Sequence, residues 1–546
     1  MNIDSYYPEI DKNNFYLGMI SQVYRSNVVL QVENLSLLNN RKIKQEILVP
    51  NTINFFVIID SAYGLFLGEI YQSKVSGTDS LHKSKSDDKK EKVFPEISID
   101  IVGLLENDEK FKLSGFKTVG ITDKVYIANK QLIKKYLESI EVHTYFKDKD
   151  TGVTQEKLNN LAKIGNFESE YLSLQPNTLF DRHLMAIGTT NSGKSTSALA
   201  ILDKLITSNR KVLVIDPTGE YKQSFPEDNV KKLTLGVNTI LPIGEISIRQ
   251  WSMIFQTNDG TQETELTKAI TALRYQNIHS NKGVFIKLGQ SVTSIDSQLS
   301  TVNSSNFYGD FDLKLLTEQI MANAVKKDDS RARTGLYVED TFYEGINRWL
   351  SEKVANTLAN SSFEEFFQSD SDKVNLLSAI EEFIIEDDTS LYIDASEIGT
   401  IDGIGSMIID LISNYVINKK KKKIKPFVIF VDEVHRYLGI SNEYQSGMIA
   451  CAREGRKKGI FLFLTTQNPK DVPEVLLGQV GTLIIHRVTH SEELKAIQNH
   501  VHYNTISQIQ KLNQGEAILT SINLLQDIHV KFEKCGRVHE NDTPIL

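Results

Sequence analysis

At 546 residues the chain exceeds what one hydrophobic core supports, and about three or four compact units are expected. Apolar residues at 40% and charged residues at 24% describe an ordinary globular protein, and with no apolar stretch long enough to span a bilayer, no membrane partner is expected. A formal net charge of −9 excludes a uniformly basic coat for nucleic acid but not a local basic channel, and two cysteines exclude a disulfide framework or a cysteine-built metal site.

The opening residues, Met1-Asn2-Ile3-Asp4-Ser5, lack the charged-then-apolar order of a signal peptide, so a cytoplasmic location is expected. Short apolar runs then follow at 15–20, 28–32, 43–49, 55–59 and 65–70, with no helical period between them. This spacing predicts a small β-barrel. Residues 83–92 interleave lysines with acids and have nothing to bury, which reads as a solvated loop at the barrel edge. Further strands are predicted at 97–102 and 124–127, closing an N-terminal barrel domain over 1–130.

Residues 131–137 read as a short helix within a connector, 131–180, that carries few strong signals. Next, the apolar run Leu184-Met185-Ala186-Ile187 enters Gly188-Thr189-Thr190-Asn191-Ser192-Gly193-Lys194-Ser195-Thr196 and continues into the helix-forming Ser197-Ala198-Leu199-Ala200-Ile201-Leu202. A glycine-rich loop between a buried strand and a helix is a P-loop, because its turned-in N–H groups and the helix N-terminus attract phosphates. ATP is therefore the expected ligand of Gly188, Thr189, Thr190, Asn191, Ser192, Gly193, Lys194, Ser195 and Thr196. Lys194 is placed to reach the β- and γ-phosphates, and the Ser195 hydroxyl to ligate Mg²⁺. A second buried strand, 211–216, ends in Asp216-Pro217-Thr218-Gly219-Glu220-Tyr221. Ligand groups gather at the carboxyl ends of parallel strands, which points Asp216 and Glu220 at the nucleotide. Amphipathic segments at 264–275, 313–325, 342–358 and 373–385 predict a helical insertion, 259–388, dividing the ATPase core into 181–258 and 389–530.

The sheet pattern resumes at Ser390-Leu391-Tyr392-Ile393-Asp394, followed by an apolar helix over 406–417. The five lysines 419–423 read as its solvated end, which suits the helix dipole. Phe427-Val428-Ile429-Phe430-Val431-Asp432-Glu433 is an apolar run ending in two acids. With a P-loop upstream this is the form of a Walker B strand: Asp432 serves the Mg²⁺ shell and Glu433 polarises the attacking water. Another buried strand ends at Gln467, placed to sense the γ-phosphate or orient water. Arg453, Arg456 and Arg487 are candidates for stabilising transition-state charge, in place or across a subunit boundary. His435 reads as a packing or hydrogen-bonding residue, and 531–546 as a C-terminal tail.

Taken in order, Arg182-His183, the P-loop, Asp216-Pro217-Thr218-Gly219-Glu220-Tyr221, Val431-Asp432-Glu433-Val434-His435, Arg453-Glu454-Gly455-Arg456-Lys457-Lys458-Gly459 and Thr465-Thr466-Gln467 resemble the HerA family of hexameric DNA translocases, in the HerA/FtsK superfamily. The resemblance covers most of the chain, since a barrel ahead of the ATPase fits it. It implies an α/β fold: a RecA-like P-loop core with a helical insertion behind a small N-terminal β-barrel. It also implies a homo-hexamer with nucleotide sites at subunit interfaces, double-stranded DNA in a central channel, Arg182 near the nucleotide and an arginine acting in trans. Thr218 departs from the histidine that many members carry. Members commonly work with an effector, and the antiphage-defence type is expected here, with a nuclease or sirtuin-like NAD hydrolase gripping the barrel. The expected activity is ATP-driven translocation on, or unwinding of, double-stranded DNA. Its rivals are a nucleotide-gated scaffold that activates an effector with little translocation, and an end-resection motor in repair.

Overall fold

The computed structural model describes residues 3–539, apart from 9, 44–45, 49–53, 76–93, 108, 149–151, 166, 259, 304–308, 330–333, 368–371, 387, 400–402, 420–423, 439–445 and 503–504. The expected polar loop at 83–92 and lysines 420–423 therefore lie outside the described residues. The chain forms two compact units, one of Met1–Asp181 with Gly481–Glu533, the other of Arg182–Val480 with Lys534–Leu546.

In the first unit, six antiparallel strands close into a barrel, in the order Tyr16–Val23, Asn27–Val32, Glu96–Leu105, Gly64–Lys74, Phe56–Ser61 and Lys124–Ile127, the last pairing with the first. Alternation builds its interior: Val28, Leu30 and Val32 on one strand face Ile97 and Ile99 on the next, all buried. At Gly18 the strands approach so closely that a Cβ would lie 2.1 Å from the Gln31 carbonyl oxygen. The segment expected as a further barrel strand at 43–49 is not one. Arg41–Ile43 and Glu46–Leu48 pair with each other as a separate two-stranded sheet. Lys44, Gln45 and Glu46 interrupt its apolar residues, so it has no continuous face to turn inward.

The connector holds more structure than its sequence announces. Leu158–Ile164 and Phe167–Leu174 form an antiparallel pair, and the sheet continues through Ile528–Lys531 and Glu516–Ser521 to Val480–Ile485. The register breaks between Leu158 and Ala162, where Asn160 takes φ 52° and its N–H bonds the Ser173 hydroxyl at 3.1 Å. Such an irregularity hides the period of two from a sequence reading.

The second unit is built on six parallel strands in the order His183–Ile187, Ile460–Thr466, Phe427–Val431, Lys211–Asp216, Ser390–Asp394 and Val230–Thr234. Every residue of His183–Ile187, Lys211–Asp216, Ser390–Asp394 and Phe427–Val431 is buried, as in strands covered on both faces. Because they are parallel, the loops after Ile187, Asp216, Val431 and Thr466 leave from one edge of the sheet. Over 259–388 stand the helices expected there, Thr261–Ile278, Leu316–Ala322, Thr341–Leu358 and Leu376–Ile385, together with Val292–Asn303, and the helix Ile248–Ile254 precedes them. Trp251 is wholly buried, with the rings of Phe255, Phe311 and Phe367 at 5.7, 5.6 and 5.6 Å.

Candidate nucleotide site

Two left-handed residues shape the P-loop, Asn191 at φ 63° and Gly193 at φ 112°. Gly193 opens the helix Lys194–Thr207, and no side chain caps its first turn, so the backbone N–H groups there suit an anion. Ser192 folds back onto Thr189, whose carbonyl accepts from its hydroxyl at 2.7 Å and its amide at 3.2 Å. Lys194 is buried and donates to Glu433 Oε1. Glu433 takes φ 47° and ψ 47°, a backbone state that costs a non-glycine residue about 1–2 kcal/mol and turns the chain sharply at the strand end. Its Oε1 also accepts from Gln467 Nε2 at 2.5 Å, and its Oε2 from the Gln467 amide at 3.2 Å. Gln467 Oε1 in turn accepts from the Thr190 hydroxyl at 2.8 Å. Thr190, Lys194, Glu433 and Gln467, from three separate loops, thus form one polar network.

Asp432 is buried beside it, its carboxylate accepting from the Thr465 hydroxyl, which itself accepts from the Glu433 amide at 2.9 Å. Burial pushes Asp432 up to about 6; Lys194 opposes that rise, Glu433 adds to it, the Thr465 hydrogen bond opposes it and Glu220 adds to it. Burial also acts to raise Glu433, but the charge and hydrogen bond of Lys194, with Gln467 and His435, outweigh it and leave Glu433 below the ordinary value. His435 Nδ1 lies 3.3 Å from Glu433 Oε2 and 3.1 Å from the Thr466 hydroxyl, and burial lowers its pKa.

Among the other residues expected at the site, Ser195 and Thr196 are half-buried in the first turn of the P-loop helix. The Asp216 carboxylate, expected to face the nucleotide, is engaged by groups of the protein itself. Its Oδ1 accepts from the amides of Thr218 at 3.2 Å and Gly219 at 2.8 Å, and its Oδ2 from the Tyr221 amide at 2.9 Å and the Tyr392 hydroxyl at 2.8 Å. Asp216 shapes its own loop, since a buried carboxylate at a turn is satisfied by the nearest N–H groups. Glu220, two residues beyond Thr218, is near enough for its charge to act on Asp432. Arg182 is exposed just ahead of its strand, Arg453 and Arg456 are exposed on the helix Gly447–Lys458, and Arg487 is exposed in the first unit.

Sequence reasoning gave no role to Thr465 or His183. His183 accepts from the Leu462 amide at Nδ1, 3.0 Å, and its Nε2 is 2.8 Å from the Ala452 carbonyl, which fixes a neutral ring joining the P-loop strand to the helix Gly447–Lys458. The Arg182-His183 pair ahead of the P-loop was the available signal.

A family model for the central domain of helicase HerA matches residues 119–398, and one for the HerA-like helicase C-terminal domain matches 418–526. The chain belongs to the HerA helicase family. Its enzyme class is accordingly that of an ATP-hydrolysing helicase or translocase. A relative from Methanocaldococcus jannaschii, "Probable helicase MJECL08", is 25% identical over 521 residues, covering 88% of this chain and 90% of its own. A second from that organism, "Probable DNA double-strand break repair helicase HerA", is 22% identical over 403 residues, covering 70% and 77%. Among solved structures, the plasmid coupling protein TrwB in complex with ADP and Mg²⁺ aligns with TM-score 0.45 and 12% identity, over 67% of this chain and 88% of that one. No helix among the described residues is long and apolar enough to cross a membrane.

Proposed function

We propose that the protein is an ATP-driven motor that assembles as a hexameric ring and translocates on or unwinds double-stranded DNA. The observation that carries this reading is the network of Thr190, Lys194, Glu433 and Gln467, which ties the P-loop to the acidic strand end in a single pocket. Lys194 pairs with Glu433 across this network. With a triphosphate on the P-loop amides, Lys194 would serve its β- and γ-oxygens and Glu433, held by Gln467, would orient water for in-line attack.

The Ser195 hydroxyl, in the first turn of the P-loop helix, and the buried Asp432 carboxylate are the oxygen donors that would hold Mg²⁺, which keeps several waters and needs few protein ligands. Among the described residues there is no cluster of three or more His, Cys, Asp or Glu side chains able to hold a metal by itself, and phosphate oxygens of the nucleotide would supply further ligands. Bound Mg²⁺ would neutralise charge on the bridging phosphate oxygens. Arg182 assists from beside the nucleotide, and Arg453, Arg456 or Arg487 supplies transition-state charge, one of them from an adjoining subunit.

DNA as the track is supported by relatives named for double-strand break repair. The N-terminal barrel is the surface on which a nuclease or NAD-hydrolysing effector docks in antiphage defence. Phosphate release measured with and without duplex DNA, beside sedimentation in each state, tests the motor. A ring whose turnover rises at least about tenfold with DNA is expected. A solitary chain with no DNA response contradicts it, and a ring that activates its effector without turnover would mark a scaffold.

A further inference from the structure

The segment that follows the last strand reads from sequence as a tail, yet three consecutive residues of it are tied to elements of the ATP pocket. Arg537 has a side chain only 4% exposed. Its Nε lies 3.0 Å from Asp203 Oδ1, on the same helix that begins with Lys194. Its Nη1 donates to the Ser224 carbonyl at 2.9 Å and to Glu227 Oε2 at 3.0 Å, and its guanidinium lies 5.3 Å from the centre of the Phe225 ring. One guanidinium therefore bridges the P-loop helix to the segment after Asp216. Val538 adds a carbonyl that accepts from the Ser224 hydroxyl.

His539 acts one step closer to the chemistry. Its Nε2 is 3.1 Å from Glu220 Oε2, and its ring is 4.9 Å from that of Tyr221. Tyr221 is wholly buried and packs edge-on against Phe430 at 5.3 Å, two residues before Asp432 on the acidic strand. Asp216 holds the front of this loop through its amides, but nothing about Asp216 fixes the Glu220 carboxylate. From outside the loop, it is His539 that sets a ring nitrogen beside that carboxylate.

We propose that Arg537, Val538 and His539 form a positioning strap for the ATP pocket, locking the loop that bears Glu220 against the P-loop helix so that tight magnesium–nucleotide binding depends on the C-terminal segment. The inference rests on the proposed reading of the pocket as an ATP site. Arg537 and His539 touch no reacting atoms and act through Glu220 and Asp203. A guanidinium with three polar partners is hard to replace, because its removal leaves two carboxylates without their cation.

The test uses the full-length chain with Arg537→Ala, His539→Ala and His539→Gln. In nucleotide-free protein, amide hydrogen exchange over residues 217–225 should quicken by about tenfold in Arg537→Ala, a readout that needs no ATPase activity. Binding of a fluorescent ADP analogue, titrated with Mg²⁺, should weaken by about three- to tenfold in His539→Ala, with kcat changed by less than about twofold. His539→Gln should restore most of the affinity, and His539→Ala should have no further effect in a Glu220→Gln background. Folded variants with unchanged exchange and unchanged Mg²⁺ dependence would overturn the strap; if Arg537→Ala does not fold, the His539 series decides alone. A wild-type chain that binds no nucleotide would remove the reading of the pocket, and the exchange measurement, which needs no nucleotide, would then decide the strap alone.

Discussion

Thr465 shows how much a single hydroxyl can do in this pocket: it donates to Asp432 and accepts from the Glu433 amide. Thr465→Val removes one of the groups that keep Asp432 ionisable while it is buried, so its pKa must climb above about 6. On the proposed role of Asp432, Mg²⁺ needs its carboxylate ionised, so binding is present above that pKa and lost as pH falls through it. The variant should therefore lose Mg²⁺-dependent nucleotide binding at a higher pH than the wild type, and lose about 1–3 kcal/mol of stability from the unsatisfied groups. A binding profile over pH 5–8 with the same acid limb for both proteins would contradict the assigned role. Lys194, Asp432 and Glu433 were legible because each stands where an apolar run meets polar residues. Asp216 stands at such a junction too, and its position could not reveal that five donors of the protein itself reach it.

At the scale of elements, periodicity found what was regular. Six barrel strands and the long insertion helices were legible because each repeats apolar residues at the period of its element. Val292–Asn303, rich in serine and threonine, and the broken register of Leu158–Ile164 were not, since neither repeats cleanly. The barrel strand Gly64–Lys74 carries a further consequence in Glu69, which faces a cavity of about 220 Å³ lined also by Asp100, Gln526 and Asp527. Burial pushes Glu69 from 4.5 to about 7, against a hydrogen bond from Gln526. Below 4.5 the group is protonated in folded and unfolded chains alike; between 4.5 and 7 only the unfolded chain releases its proton, so stability falls as pH rises through that window. The loss is at most about 3 kcal/mol. Glu69→Gln should match the wild type near pH 4 and exceed it at pH 8 in urea unfolding of the barrel unit. An equal difference at both pH values would rule out a buried, protonated Glu69.

Over the whole molecule, the sequence reads in contiguous blocks while the fold interleaves them. Residues 481–533 return to the N-terminal unit, where Lys531 pairs with Lys163, a partnership more than three hundred positions apart that no local pattern encodes. The C-terminal residues rejoin the ATPase unit in the same way, through Arg537 and His539. The motor reading comes down to Lys194 and Glu433 serving one triphosphate. The most direct measurement is nucleotide affinity alongside single-turnover phosphate release for Glu433→Gln with duplex DNA present. Affinity equal to or tighter than wild type, with hydrolysis slowed at least about a hundredfold, is expected once the orienting carboxylate is lost. Hydrolysis within about twofold of wild type would mean that Glu433 does not orient the water and that the pocket works by other residues.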